Sequence, residues 1–133
     1  MGEWHDGAGT LTIETGTGTG TGPGSGRPRT VPVEIAASYR TRRRGLLGRN
    51  GVDGALLLTP CGSVHTFGMR FAIDVAYLDR HLRVLRTQTL RPGRMPLPRL
   101  RARHVLEAEA GAMAGWGLRA GATVRIEPGP PLT

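Results

Sequence analysis

Between residues 69 and 77 every second residue is large and apolar: Met69, Phe71, Ile73, Val75 and Tyr77. A period of two sets those five side chains on one face of a strand and is incompatible with a helical stripe. The alternate face, with Arg70, Ala72, Asp74, Ala76 and Leu78, is mostly small or apolar as well. A strand apolar on both faces is predicted to be covered on both sides, with Asp74 partly buried. The chain must therefore build a sheet around this segment. Asp79-Arg80-His81 supplies the turn into residues 82–87, the second strand of a hairpin.

Short strands with the same character recur along the rest of the chain. Residues 10–14 alternate Thr and Glu with Leu11 and Ile13, and residues 31–36 set Val31, Val33 and Ile35 on one face, with Pro32 suggesting an edge position. Residues 55–58 form an apolar run too short for a helix and end at Pro60. Residues 104–109 and 123–126 complete the set. Helix is predicted at only two places. Ser38 caps residues 39–44, which Gly45 and Gly48 bring to a stop, and residues 112–116 form a helical turn. Residues 91–103 mix Pro92, Pro96 and Pro98 with five arginines and read as an extended basic loop. The predicted class is mainly β, a β-sandwich of jelly-roll type or a partly closed barrel with one or two short helices.

Composition marks the divisions. The Thr-Gly repeat within residues 15–30 has no side chain able to offset the entropy of ordering, and a mobile loop is expected there. It lacks both the lysine of a phosphate-binding loop and the strand-to-helix setting of a dinucleotide fingerprint. Residues 1–14 then form an N-terminal strand segment, 31–127 a single β-rich domain, and 128–133 a proline-rich tail. Cys61 is the one cysteine, so no intramolecular disulfide staples the chain. The start of the sequence has no basic region followed by an apolar run, and no stretch reaches the roughly 20 apolar residues of a membrane span. A cytoplasmic protein is the expectation.

Three stretches, read together and in order, resemble the domain-of-unknown-function 192 family over residues 31–127. They are Pro32-Val33-Glu34-Ile35 leading to Arg44-Gly45-Leu46-Leu47-Gly48-Arg49, then the run from Val64-His65-Thr66 through Ile73-Asp74-Val75, and finally His104-Val105-Leu106-Glu107 through Ala110-Gly111. The middle stretch is the most specific, with a hydroxyl residue, a Met and Ile-Asp at fixed offsets. The resemblance implies a mainly-β fold of jelly-roll type and no assigned activity. Ala72 stands where the family often has a proline, the Thr-Gly insert looks peculiar to this chain, and some relatives carry export signals, whereas none is expected here.

Five polar residues fall inside those stretches, on segments that otherwise read as buried: Arg44, His65, Thr66, Asp74 and Glu107. A buried polar group without a partner costs about 1–3 kcal/mol. The leading expectation is accordingly a non-catalytic binding or accessory domain. In it these five line one cleft for an anionic or hydroxyl-rich small ligand or a peptide, or else the protein works through a protein partner. No cofactor is expected. Three other chemistries compete with this reading. Cys61 and His65 are a nucleophile and base by type, yet an extended chain would hold them about 13 Å apart unless Gly62-Ser63 turns. His65, Asp74 and Glu107 suit a metal by type, without diagnostic spacing. All 18 basic residues are arginine and the net charge is +8, so Arg42, Arg43, Arg44, Arg49 and the 91–103 loop offer sequence-independent contacts to nucleic-acid phosphates.

Overall fold

The computed structural model describes residues 4–14 and 28–130. Most of the Thr-Gly insert and the end of the proline-rich tail lie outside the described residues. In chain order the elements are β1 (Gly7–Glu14), β2 (Arg29–Ala36), α1 (Tyr39–Arg44), β3 (Ala55–Leu58), β4 (Ile73–Leu78), β5 (Val84–Leu90), β6 (His104–Glu109), α2 (Ala112–Gly115) and β7 (Thr123–Pro128). Among the described residues all seven strands belong to one sheet, in the order β5-β4-β6-β3-β2-β1-β7. Every pairing is antiparallel except β2 with β3, which the α1 segment connects as parallel neighbours.

The sheet curls until its two edges meet. Arg83, just before β5, forms an isolated bridge with Thr123 of β7, and Val84 N donates to Ala122 O at 2.8 Å. Contact at one end of the seam makes this a partly closed barrel, one of the two architectures the strand pattern left open. All residues of β4 are buried, as its two apolar faces predict. One face, with Ala76 and Leu78, joins Leu57, Leu106, Val33, Ile35 and Val124 inside the barrel. The other, with Ile73, Val75 and Tyr77, packs with Leu56, Leu58 and Val105 on the outside, beneath Leu46 and Val64 from the flanking loops.

Local chemistry sets the ends of the elements. Ser38 accepts from Thr41 N at the start of α1, and Gly45 closes it with φ near 48°. Asp6 ties this junction to the start of β1, accepting from Ser38 N at 2.9 Å, Ala37 N and the Thr41 hydroxyl. Those donors hold its carboxyl far below the usual carboxylate range. In the β4–β5 turn, Asp79 accepts from His81 N and Arg83 N at 2.8 and 3.0 Å.

Two expectations need correction. Residues 69–72 are not strand: the partners of β4 run out at Ile73, which faces Glu109 on one side and Leu90 on the other. Met69 and Phe71 still pack on the outer cluster, so the apolar alternation outlasts the ladder. Nor does Pro32 mark an edge, because β2 lies between β1 and β3. Pairing with β3 begins one residue later, at Val33 opposite Ala55, so the missing N–H of Pro32 removes no bond from that ladder.

Candidate functional site

Strand β6 carries the decisive polar residue. Val105 and Glu107 share its outer face, and the ladder sets Glu107 opposite Leu56 of β3 and Val75 of β4. A carboxyl in the middle of a sheet, flanked on both sides by aliphatic side chains, is largely withdrawn from water, with Glu107 only 5% exposed. Burial pushes it up to about 7, and among the described residues nothing hydrogen-bonds to it. It lies at the base of a pocket of about 510 Å³ between α1, the end of β3 and the loop that follows.

The walls follow from the local sequence. Gly45 ends α1 in a conformation L side chains rarely adopt, and a Cβ there would stand 3.6 Å from Glu107 Oε1. That distance is ordinary van der Waals contact, so it is the positive φ of the turn beside the carboxyl that calls for glycine. Leu46, Leu58, Val64 and Met69 supply apolar wall, while Arg43, Arg44 and His65 supply polar groups. Arg42 is already engaged, donating from Nη1 to Pro60 O at 2.8 Å, and Arg49 is paired with Glu34 at 2.8 Å. No ion pair among the described residues takes Arg43 or Arg44.

Of the five polar residues expected in one cleft, Arg44, His65 and Glu107 line this pocket. Thr66 does not. It is fully buried, its hydroxyl donates to Arg91 O at 2.6 Å and accepts from Arg94 N at 2.8 Å, and it joins two loops. Asp74 is on the opposite face of the sheet. Its neighbour Val75 is the residue that pairs with Glu107, so Asp74 points into the barrel. There it accepts from the Thr89 hydroxyl at 2.6 Å and from Gly111 N and Met113 N at 2.9 and 3.1 Å, holding the first turn of α2 against β4 and β5.

This placement separates the proposed metal ligands. His65 and Glu107 share a pocket, Asp74 is across the sheet, and the described residues contain no group of three or more ligating side chains. Cys61 and His65 do line one pocket, because the chain turns at Gly62-Ser63. The thiol, however, bonds Ser63 O at 3.1 Å, and burial pushes it up, which favours the protonated form. His65 is exposed, accepts from Phe67 N at 3.3 Å and stacks on the Phe67 ring at 5.3 Å. Neither group is arranged to activate the other.

The sequence marked Gly45 as a helix stop and not as part of a site, and likewise did not mark Leu46 and Leu58 as pocket wall. One usable signal was the parity of β6, where Glu107 shares a face with apolar Val105. It also passed over His104, which is buried against Thr59 with Nδ1 and Oγ1 2.7 Å apart and is lowered by burial.

Comparison with known proteins bears first on the sequence. A model of the DUF192 family, described as uncharacterized, matches residues 22–126. A UPF0127 protein of Pyrococcus horikoshii is 34% identical over 84 residues, spanning 59% of this chain and 73% of its own. A UPF0127 protein of Pyrococcus abyssi is 33% identical over 84 residues, spanning 59% and 72%. Among solved structures, a Sinorhizobium meliloti protein described as a candidate transcription regulator has a TM-score of 0.74 at 19% identity, over 94% of this chain and 98% of that one. A Novosphingobium aromaticivorans protein of unknown function has a TM-score of 0.70 at 18% identity, over 87% and 83%. At such identities the likeness is one of fold alone.

Proposed function

The chain belongs to the DUF192 family, which is described only as uncharacterized, and on that premise we propose that it is a small-ligand-binding domain whose ligand hydrogen-bonds to Glu107. The observation that carries this reading is a buried carboxyl, unpaired among the described residues, at the base of a pocket open to solvent. Burial without a donor among the described residues disfavours the charged form of this carboxyl, and functional sites are where such groups concentrate. A ligand hydroxyl or amine would supply, in place of pocket water, the donor that the described residues do not.

The rest of the pocket narrows the ligand class. Its volume of about 510 Å³ is in the range that holds a small molecule or the end of a peptide. The leucines, Val64 and Met69 accept a carbon skeleton, and Arg43 and Arg44 at the rim offer guanidinium forks to an anionic group. An amphiphilic molecule with an anionic end and a hydroxyl or amine end matches all three. The protonated, Ser63-bonded Cys61 gives no corresponding support to nucleophilic chemistry.

A thermal-shift screen near pH 7 against sugar acids, amino acids, phosphorylated sugars and short peptides tests the proposal. A ligand at 100 times its Kd stabilises by about 2.7 kcal/mol, a shift of several degrees. That shift is expected to vanish in Glu107→Gln and shrink in Arg44→Ala. Shifts that persist undiminished in Glu107→Gln, or none with any class, overturn it.

A further inference from the structure

The 91–103 connection between β5 and β6 is anchored at both ends and apolar where it is most exposed. At its start, Gly93 N donates to Thr66 O and Arg94 N to the Thr66 hydroxyl, each at 2.8 Å. At its end, Arg99 N donates to Gly62 O at 3.0 Å and Cys61 N to Arg103 O at 2.8 Å. Between and beside these anchors Met95, Leu97 and Leu100 are 70%, 81% and 91% exposed. Three large aliphatic side chains in water on one short loop are the kind of exposed apolar surface at which docking takes place.

The surrounding charge indicates what covers it. The loop holds five arginines and no acidic residue, in a chain of net charge +8. Arg91, Arg94, Arg101 and Arg103 are exposed, and none enters an ion pair among the described residues. Arg99 alone is turned inward, its guanidinium 5.7 Å from the centre of the Tyr77 ring.

We propose that this loop docks on an anionic membrane surface, with Leu97, Leu100 and Met95 entering the headgroup boundary and the exposed arginines facing lipid phosphates. Aliphatic side chains flanked by cations suit that boundary, where hydrocarbon and phosphate lie within one side chain's reach of each other. Single-stranded nucleic acid is the poorer match, because its bases stack on aromatic rings, this loop has none, and the exposed Phe67 beside its Thr66 anchor is already stacked on His65. Pro92, Pro96 and Pro98 restrict the backbone before contact, which lowers the entropy lost on docking.

Vesicle flotation of the full chain tests this, with phosphatidylcholine vesicles against the same lipid carrying about 30% phosphatidylglycerol. Binding is expected only to the anionic vesicles, and to fall at least tenfold at about 0.5 M salt. Leu97→Ser/Leu100→Ser should weaken it about tenfold or more with the melting temperature unchanged. Absence of binding, equal binding to neutral vesicles, or undiminished binding by the serine variant overturns the proposal. Release from anionic vesicles by an oligonucleotide, at a total charge at which polyglutamate releases none, overturns it in favour of nucleic acid. Self-association abolished by the serine substitutions, without vesicle binding, overturns it in favour of a second copy of this chain.

Discussion

Asp74 and Glu107 sit one register step apart on neighbouring strands, on opposite faces of the same sheet. Both are buried. Inside the barrel Asp74 meets three donors, two of them backbone amides at the start of α2. Outside it Glu107 meets aliphatic neighbours and a pocket, with no donor among the described residues. The same functional group thus does opposite things to the fold. Where donors converge, a buried carboxylate fastens elements together; where none do, burial disfavours its charged state.

The sharpest way to break this contrast is to remove both carboxylates in turn. Asp74→Ala strands three donors and is expected to cost about 3–4 kcal/mol in urea denaturation at pH 7. A loss below about 1 kcal/mol would mean that water replaces the carboxylate and that Asp74 fastens nothing.

Glu107→Gln is expected to move stability the other way, and with pH. Burial raises the folded carboxyl from 4.5 to about 7, so between those values the folded state holds a proton that the unfolded chain has released. The stability linked to that proton is complete below pH 4.5 and is lost as pH rises through about 7. At pH 8 the glutamine variant, which never ionises, should therefore be more stable than the parent by about 3 kcal/mol, because a tenfold change in proton affinity is worth about 1.4 kcal/mol. The gain should fade towards pH 4. A glutamine variant less stable than the parent at pH 8 would mean that the carboxylate has a partner in the folded protein.

A smaller effect sharpens the comparison from the Thr66 side. Thr66→Val keeps the volume but leaves Arg94 N and Arg91 O unpaired, for an expected loss of about 1–3 kcal/mol independent of pH. Measured alongside Glu107→Gln, it separates a polar group that the fold uses from one that it merely tolerates. Pocket ligands should bind the valine variant as well as the parent.

Period two at residues 73–78, the Ser38 cap, the stop at Gly45 and the turn at Asp79 were legible because each is set by residues within a few positions of one another. The site was legible only in part, because it depends on register. Parity along β6 puts Glu107 with Val105, and parity along β4 puts Asp74 with Ala76, but which of these faces coincide is decided by Val75 pairing with Glu107. Nothing local encodes that pairing. Nor does the sequence around Thr66 show that its hydroxyl is used up by a loop some 25 residues away. Pro32 misled for a related reason: an interior strand tolerates proline where its neighbour has not yet begun, and the start of β3 is invisible from β2.

The place of β1 between β2 and β7 bears on how the chain assembles. One partner follows β1 in sequence, whereas β7 lies more than 100 residues further on, so the second half of its ladder closes the longest loop between paired strands among the described residues. Gly9 belongs to that contact, where a side chain would collide with the Glu127 carbonyl. Until β7 arrives, β1 is a naked edge bearing Leu11 and Ile13, both wholly buried once folding is complete. A nascent chain in which β7 is still to be made therefore leaves one edge of β1 without the partner that covers it in the finished barrel.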